Sequence, residues 1–416
     1  MTENLNSDFS LNNAGFSNAS NTINLPRHRW YYYKEGFSPE LVKSAIKECD
    51  LLKNDIILDP FNGSGTVTLT AATEGYNSIG FEVNPFTCFI ARTKVLNTSK
   101  KTFTKAIDRT LKSLEDQKVS ILEEFSTFTD SGKRDKWLFN RDVLRTYEAG
   151  RIHVKNENRH IEHLLKLALI SSAMKNSNVK KDGKCVRYKK YWSDTNYGTT
   201  DFIETFIAHT DIIKQDLDDS VLVKPQIYNR DCRKSISKLD KKFKLCITSP
   251  PYLNTFDYTD IYRPELFIGE FIRNSEELYN LRLKTVRSHV QAHWKLPKEQ
   301  SFGYTFDDVY NKIKSTPELL MHKNIPFMII AYFEDMRQIF KDLKSKAEKG
   351  ASLWFVVSTS AYANVHIPVD LILADIAVQV GWSLKEIGVL REIHKRTTKY
   401  SPDVTKLRES VIILKN

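Results

Sequence analysis

The chain has 416 residues, a length that suits two or three domains or one domain with large insertions. Its hydrophobic content of 41% and charged content of 27% are ordinary for a soluble globular protein, and no run of about 18 apolar residues predicts a membrane span. The formal charge of +11 favours a polyanionic partner such as nucleic acid, although many soluble proteins are modestly basic without binding one.

The cysteines and the N-terminus indicate a cytoplasmic protein. The five cysteines include no CxxC pair, which favours reduced thiols over a zinc site or a disulfide framework. Residues 1–25 are rich in Asn and Ser and have neither a basic start nor an apolar stretch. They therefore predict a flexible N-terminal tail and not a secretory signal.

Residues 26–98 alternate between helix and strand. Ser38 and Pro39 are typical of an N-cap followed by the first residue of a helix. Residues 55–59 and 78–82 read as short buried strands, separated by a glycine turn and a helix over 67–73. Strand, turn, helix and strand in this order form the first unit of a doubly wound sheet.

Two stretches interrupt this pattern. Residues 99–224 are charged and mainly helical, with helices predicted over 102–125 and 160–173. A second mixed segment follows at 256–325. The remaining predicted strands cover 226–229, 244–248, 351–357 and 410–414. The sequence therefore predicts one α/β sheet domain over 26–98 and 225–416, interrupted by two mainly helical insertions.

A glycine turn with acidic neighbours follows the first strand, over Asp59 to Thr66. Gly63 and Gly65 let the backbone turn sharply and approach a ligand where a Cβ would collide. Asp59 can accept hydrogen bonds from a ligand amine or hydroxyl, and Glu82 ends the next strand, where a nucleotide site has its ribose-binding acid. A lone GxG is more often only a turn. Together with two acids at consecutive strand ends, it predicts a nucleotide-like cofactor site.

A second motif, Thr248-Ser249-Pro250-Pro251-Tyr252, comes directly after an apolar strand. Two prolines remove two backbone donors, so the carbonyls around them can face a substrate amino group. The Ser249 hydroxyl is a further acceptor, and Tyr252 offers an aromatic face on which a base can stack. A proline pair at a strand end is often only a rigid loop. Its position downstream of the nucleotide-like site favours an active-site loop.

The two motifs resemble those of the DNA amino-methyltransferases, which carry FxGxG and [D/N/S]PP[Y/F]. The matching residues are Phe61 to Gly65 and Ser249 to Tyr252. The resemblance extends over most of the sheet domain, including segments similar to later sheet motifs at 350–358 and 381–391. It implies a Rossmann-like S-adenosylmethionine-dependent methyltransferase fold, S-adenosylmethionine as cofactor and double-stranded DNA as substrate.

The resemblance also implies which residues hold the cofactor. The segment from His28 to Leu41 is similar to the family's motif before the first strand, which helps hold the methionine part. Glu82 matches the acid that binds the ribose hydroxyls, and Asp231 lies in a segment whose acid reaches the adenine amine. The implied cofactor-binding residues are Phe37, Ser38, Asp59, Phe61, Gly63, Gly65, Thr66, Glu82, Asp231 and Cys232.

The serine of the SPPY motif points most often to cytosine in this family, whereas aspartate is the usual mark of adenine. The family resemblance implies that Ser249, Pro250, Pro251 and Tyr252 are catalytic: Ser249 and the Pro250 carbonyl orient the amine for in-line transfer, and Tyr252 stacks on a flipped base. No metal is required, and no Pro-Cys dipeptide supplies a nucleophile for ring-carbon methylation.

The expected function is therefore cytosine-N4 methylation of DNA in a restriction-modification or similar defence system, with a cognate restriction endonuclease as an expected partner. Three alternatives stay open. They are adenine-N6 methylation of DNA, amino-methylation of RNA, and a non-catalytic DNA-binding protein that keeps the fold.

Basic stretches in both insertions are candidates for DNA contact. The first interleaves aromatic residues with Lys180, Lys181, Lys184, Arg187, Lys189 and Lys190, and the second contains Arg282, Arg287 and His289. A charge run is often only a solvated face. The larger insertion, 99–224, is favoured as the target-recognition domain, and 256–325 is the second candidate.

Overall fold

The computed structural model describes residues 5–9, 19–130, 132, 135–183, 185–394 and 398–416. Its strands are β1 (Leu5–Asn6), β2 (Ile56–Asp59), β3 (Asn77–Phe81), β4 (Val179–Asp182), β5 (Cys185–Tyr188), β6 (Gln226–Tyr228), β7 (Phe243–Thr248), β8 (Ala347–Ser358), β9 (Ser360–Tyr362), β10 (Val365–Ile367), β11 (Ser383–His394) and β12 (Lys406–Lys415). Eight of them form the main sheet in the order β1-β11-β12-β8-β7-β2-β3-β6, and β4 pairs with β5 and β9 with β10 as separate hairpins.

The main sheet is parallel from β8 through β7, β2 and β3 to β6, and β12 runs antiparallel between β8 and β11. From β2 the chain moves outward through β3 to β6 and then returns to the other side of β2 as β7. Strand order therefore reverses between β2 and β7, and ligands of open α/β sheets bind at the carboxyl ends of strands beside such a reversal. The predicted Rossmann-like α/β fold is confirmed.

Helices cover both faces of this sheet. The α-helices are α1 (Pro39–Glu48), α2 (Thr66–Thr73), α3 (Pro85–Lys94), α4 (Lys100–Leu114), α5 (Arg141–Val154), α6 (Arg159–Lys175), α7 (Thr199–Asp216), α8 (Cys232–Ser235), α9 (Tyr258–Ile261), α10 (Arg263–Ile268), α11 (Ser275–Arg282), α12 (Tyr304–Lys314), α13 (Ile325–Lys346) and α14 (Val369–Gln379). Neighbouring residues of β2 point to opposite faces. Ile57 packs in a core with α1 and α2, and Leu58 packs in a core with α12, α13 and α14. Among the described helices, none is long and apolar enough to cross a membrane.

The first insertion and the beginning of the second share one hydrophobic core. Phe103, Leu144 and Phe202 from 99–224 belong to the same buried cluster as Tyr262 and Leu266. We call residues 99–224 and 256–281 together the helical lobe. The later part of the second insertion behaves differently, because α12 packs in the core of the sheet domain. The expected insertion over 256–325 is thus divided between two cores.

Two expected segments differ from the structure. In the predicted flexible tail, Leu5–Asn6 extends the edge of the sheet beside β11, and the buried ring of Phe9 lies where a Cβ on Gly388 would be 2.4 Å from it. Leu5–Asn6 forms a strand here because the open edge of β11 offers backbone hydrogen-bond partners to another strand. Residues 1–4 and 10–18 of that tail lie outside the described residues.

The helix expected over 102–125 ends at Leu114. Beyond it, Val119 and Ile121 have exposed fractions of 71% and 79%, so they do not extend the buried stripe of α4. Instead, the amide of Lys118 donates to the Arg145 carbonyl, and the amide of Glu123 donates to the Ser120 carbonyl in a turn. Apolar spacing alone could not reveal that these backbone groups find partners outside a helix.

Candidate active site

The carboxyl ends of β2, β3, β6 and β7 open into a cavity of about 560 Å³. Ligand pockets of proteins typically enclose roughly 300–1,000 Å³, so the space suits a cofactor. The predicted cofactor-binding and catalytic residues that line this cavity are Phe37, Asp59, Phe61, Gly63, Thr66, Glu82, Asp231, Cys232, Ser249, Pro250, Pro251 and Tyr252. Both sequence motifs thus meet at one site, as the strand order requires.

Glu82 is held at the cavity wall by backbone amides. The amide of Gly63 donates to Glu82 Oε2 at 2.8 Å, and the amide of Asn84 donates to Oε1 at 2.7 Å. Gly63 has a φ of +48°, and a Cβ there would lie 3.3 Å from the ring of Tyr33. Burial raises the pKa of Glu82, while these amide bonds oppose the shift. The glycine turn and the acid therefore hold each other in place.

Asp59 connects the two motifs. Thr248 Oγ1, one residue before Ser249, donates to Asp59 Oδ1 at 2.6 Å, and the amide of Phe61 donates to the same oxygen at 3.0 Å. Burial raises the pKa of Asp59 to about 7, and these hydrogen bonds oppose the rise. The carboxyl group is therefore poised to change charge near neutral pH.

Two buried amide donors also line the cavity. Asn62 Nδ2 and Asn84 Nδ2 have no hydrogen-bond partner among the described residues. Their oxygens are occupied, because Asn62 Oδ1 accepts from Thr68 at 2.9 Å and Asn84 Oδ1 accepts from the amide of Phe86 at 3.0 Å. An unpaired buried donor costs about 1–3 kcal/mol, so both amides suit the acceptor atoms of a bound ligand.

Asp231 ends the segment after β6. It caps α8 by accepting from the amide of Arg233 at 3.0 Å, and the Arg233 guanidinium donates to both of its carboxylate oxygens. Each carboxylate oxygen has two lone pairs, so Asp231 can accept a further donor from the cavity. Cys232 is buried beside it, and burial raises the pKa of its thiol well above the ordinary value.

The SPPY loop forms a chain of hydrogen bonds at the other end of the cavity. Ser249 Oγ donates to Tyr252 Oη at 3.2 Å, and Tyr252 Oη donates to Glu409 Oε1 at 2.6 Å. Arg391 Nε donates to Glu409 Oε2 at 2.8 Å. All four residues line the cavity. Burial, followed by the nearby Glu409 carboxylate, raises the pKa of Tyr252 well above its ordinary value, so its hydroxyl stays a donor.

Comparison with known proteins shows similarity to DNA methyltransferases. The sequence model of a family described as DNA methylase matches residues 6–93. The Type II methyltransferase M.BsoBI of Geobacillus stearothermophilus is 28% identical, in an alignment that covers 88% of this chain and 80% of that protein. The Type II methyltransferase M.AvaI of Nostoc sp. is 25% identical over 88% of this chain and 81% of its own length. Over most of its length, the chain is therefore similar to Type II DNA methyltransferases.

S-adenosylmethionine is therefore the cofactor of this methyltransferase. The cavity fits it, because Glu82 and Asp231 can accept from hydroxyl and amino groups, and the amides of Asn62 and Asn84 can donate to its acceptor atoms. Among solved structures, a SAM-dependent methyltransferase from Methanosarcina mazei aligns over 89% of this chain and 96% of its own, with 11% identity and a TM-score of 0.30.

Two predicted cofactor residues of the methyltransferase do not line the cavity. The hydroxyl of Ser38 accepts from the amide of Glu40 at 3.2 Å and caps α1. Gly65 is the N-cap residue of α2 and has a φ of +89°, and a Cβ there would lie 2.8 Å from Ala91 Cβ. Both residues shape the backbone around the site, one by capping a helix and the other by permitting close packing.

Several predicted DNA-contacting residues are paired inside the protein. Arg282 Nε donates to Asp257 at 2.7 Å. Arg287 pairs with Asp335 and Glu334, at 2.7 Å in each case. His289 is buried, lines the cavity, and lies 3.1 Å from Thr285 Oγ1 through Nε2. Arg287 thus holds the second insertion to α13, whereas Arg282 and His289 have their partners within the insertion. Buried acids need such ionic partners.

The first basic stretch is divided between structural and exposed residues. Lys181 Nζ lies 2.5 Å from the fully buried Glu265 and 3.6 Å from the centre of the Tyr262 ring, so it anchors the β4–β5 hairpin. Lys189 Nζ donates to the Lys175 carbonyl at 3.0 Å. The exposed members of the stretch are Lys180, Arg187 and Lys190, and Lys184 lies outside the described residues.

The sequence did not predict several residues that line the cavity. Tyr33, Phe256 and Tyr258 supply aromatic walls, and Tyr33 stacks on Tyr262 with ring centroids 5.4 Å apart. Glu409 and Arg391 come from the antiparallel part of the sheet. An acid beside an apolar strand looks like an exposed strand end in the sequence. Only the pairing of β12 with β8 and β11 places Glu409 at the site.

Proposed function

We propose that this methyltransferase transfers a methyl group from S-adenosylmethionine to the exocyclic N4 amino group of cytosine in double-stranded DNA. The observation that carries this proposal is Ser249, a hydroxyl in place of a carboxylate at the head of the proline loop, beside the cofactor cavity. We further propose that the enzyme is the modification partner of a restriction endonuclease, as the Type II designation of its relatives suggests.

The chemistry needs oriented acceptors more than a strong base. The lone pair of the target amine is delocalised into the base, and acceptors on its N–H groups turn that pair towards an electrophile. In this proposal Ser249 Oγ and the Pro250 carbonyl accept those N–H groups, while the Tyr252 ring supports the flipped base from its face. The bound cofactor supplies an electrophilic methyl group.

The helical lobe is the proposed DNA-contacting region. The tip of the β4–β5 hairpin reaches the cavity through Gly183, and Lys180 lies opposite Arg187 in the hairpin register. Both side chains are exposed, so they can reach phosphates beside a base that enters the cavity. Lys190 continues this basic surface beyond the hairpin.

Two loop variants test the proposal. Ser249→Ala and Tyr252→Ala should each lower the turnover of labelled methyl transfer to unmodified genomic DNA by at least about tenfold. Cofactor affinity, measured by calorimetry, should stay within about twofold because neither side chain belongs to the glycine turn. The exposed Ser315 and Tyr304 provide matched controls, through Ser315→Ala and Tyr304→Ala.

Nucleoside analysis of the labelled DNA should place the label in N4-methylcytosine. Normal turnover in both loop variants would contradict the assigned active site. Label in N6-methyladenine would contradict the target base, and acceptance by total RNA with none by DNA would contradict the substrate.

A further inference from the structure

The chain of hydrogen bonds behind Ser249 has a defined direction. It runs from Ser249 through Tyr252 to Glu409, which Arg391 holds from the far side. We propose that Glu409 is a positioning residue that fixes this direction and thereby makes Ser249 Oγ an acceptor towards the target amino group. The inference rests on the proposed function and adds to it a residue outside both sequence motifs.

The direction follows from counting protons. An ionised carboxylate can only accept, so the single hydroxyl proton of Tyr252 goes to Glu409 at 2.6 Å. The Tyr252 oxygen is then left to accept, and the single proton of Ser249 goes to it at 3.2 Å. With its proton committed, Ser249 Oγ has only lone pairs to present to another group. An amine N–H is the partner that such an oxygen can accept.

The fold holds the carboxylate in this role. Arg391 and Glu409 face each other as register partners on β11 and β12, and Glu409 has an exposed fraction of only 4%. The Arg391 guanidinium occupies Oε2, which leaves Oε1 for Tyr252. Charge-assisted hydrogen bonds are strong in a buried setting. The donors and acceptors in this series of hydrogen bonds therefore have little freedom to exchange roles.

A glutamine at this position would remove that constraint. Its side chain has the same shape, but its amide can donate to Tyr252 as well as accept from it. If the amide donates, the Tyr252 proton turns to Ser249, and the Ser249 proton then points at the target amine. The ground-state geometry of the cavity hardly changes, so the loss should fall on turnover and not on binding.

The experiment is a double-mutant cycle on purified enzyme, with Glu409→Gln, Tyr252→Phe and the double variant. Each single variant should lower kcat about tenfold, with KM for DNA and cofactor affinity within about twofold of wild type. Both changes break the same series of hydrogen bonds. The kcat of the double variant should therefore lie within about twofold of the kcat of either single variant. Glu392→Gln is the matched control, since Glu392 pairs with Lys406 on the same two strands but is exposed.

The outcomes separate this inference from the proposed function. A wild-type enzyme that methylates no DNA would overturn both. An active wild type with unchanged kcat in Glu409→Gln, or with multiplicative losses in the double variant, would overturn the positioning role alone. If Glu409→Gln fails to fold, Tyr252→Phe tests the positioning role, because it keeps the aromatic ring and removes the hydrogen bonds of the Tyr252 hydroxyl. A normal kcat in Tyr252→Phe would then overturn the role.

Discussion

The sheet domain and the helical lobe use their charged residues in different ways. At the sheet edge, Glu82 and Asp59 are bonded mainly to backbone amides and a threonine close to the strand ends. In the lobe, several basic side chains form ion pairs with acids on other elements: Lys181 reaches Glu265, and Lys155 reaches Glu270. Acidic side chains of the sheet domain therefore face a cavity, while many basic side chains of the lobe form ion pairs that stabilise the lobe.

This difference teaches which charges a sequence can assign. A residue at the end of a parallel strand has its place set by the strand, so its chemistry can be inferred from a short motif. A basic residue in a helical insertion has many possible acidic partners, and its freedom depends on tertiary packing. Substitutions in the two regions test this contrast, and the largest change in free energy is expected at Arg287.

Arg287 should matter for stability and not for DNA binding. Arg287→Ala leaves Glu334 and the buried Asp335 without this partner, although Arg233 still contacts Asp335, so we expect a loss of about 2–4 kcal/mol in the free energy of unfolding. Chemical denaturation measures the loss, and the exposed Arg273 provides the control through Arg273→Ala. Unchanged stability with clearly weaker DNA binding would reverse the interpretation.

Glu82 should matter for cofactor affinity. In Glu82→Gln, the side-chain amide would face one of the two backbone N–H groups that the carboxylate now accepts. We expect S-adenosylmethionine to bind at least about tenfold more weakly in calorimetry. Glu74→Gln, in the same strand–helix–strand unit but exposed, is the control. Equal affinities for all three proteins would refute a cofactor role for Glu82.

Asp59 should make cofactor binding depend on pH. Because burial raises its pKa to about 7, the carboxyl is neutral in the folded protein below that pH and charged above it. A cationic cofactor amine prefers the charged form, so affinity should rise about fivefold from pH 6 to pH 8. The same raised pKa means that the ligand-free protein loses stability as pH increases from about 4 to about 7, with no further loss from this group above that range. Asp59→Asn should remove most of the rise in affinity, and an undiminished rise would assign the dependence to another group.

The exposed hairpin residues should contribute modestly to DNA affinity. Lys180→Ala and Arg187→Ala should each weaken binding to duplex DNA about twofold to threefold at low salt and reduce the salt dependence by about one counterion. Lys101→Ala, an exposed lysine of the same insertion, is the control. Equal losses of DNA affinity at all three positions would show that the hairpin contributes no more than any exposed positive charge of the insertion.

Much of the fold and part of the site could be predicted from sequence. Buried strands and the glycine turn are local features, so the sheet, Asp59, Glu82 and the SPPY loop followed from short patterns. The edge strand Leu5–Asn6 did not, because it depends on the open side of β11 more than on its own two residues.

The place of Glu409 at the site could not be predicted from the sequence, for a similar reason. It lies 157 residues from Tyr252, and its role depends on antiparallel pairing within the sheet. The internal pairing of Lys181 and Arg287 was hidden too, because their acidic partners lie on other elements. Such contacts follow from packing, which no motif in the sequence records.

The most direct test of the central claim is mass spectrometry of nucleosides from the DNA of cells that lack other DNA methylation and express either the wild type or Ser249→Ala. We predict N4-methylcytosine in DNA from the wild type and at least about tenfold less in DNA from the variant. N6-methyladenine in place of N4-methylcytosine would contradict the assigned target, and the absence of any methylated base would contradict the proposed function itself.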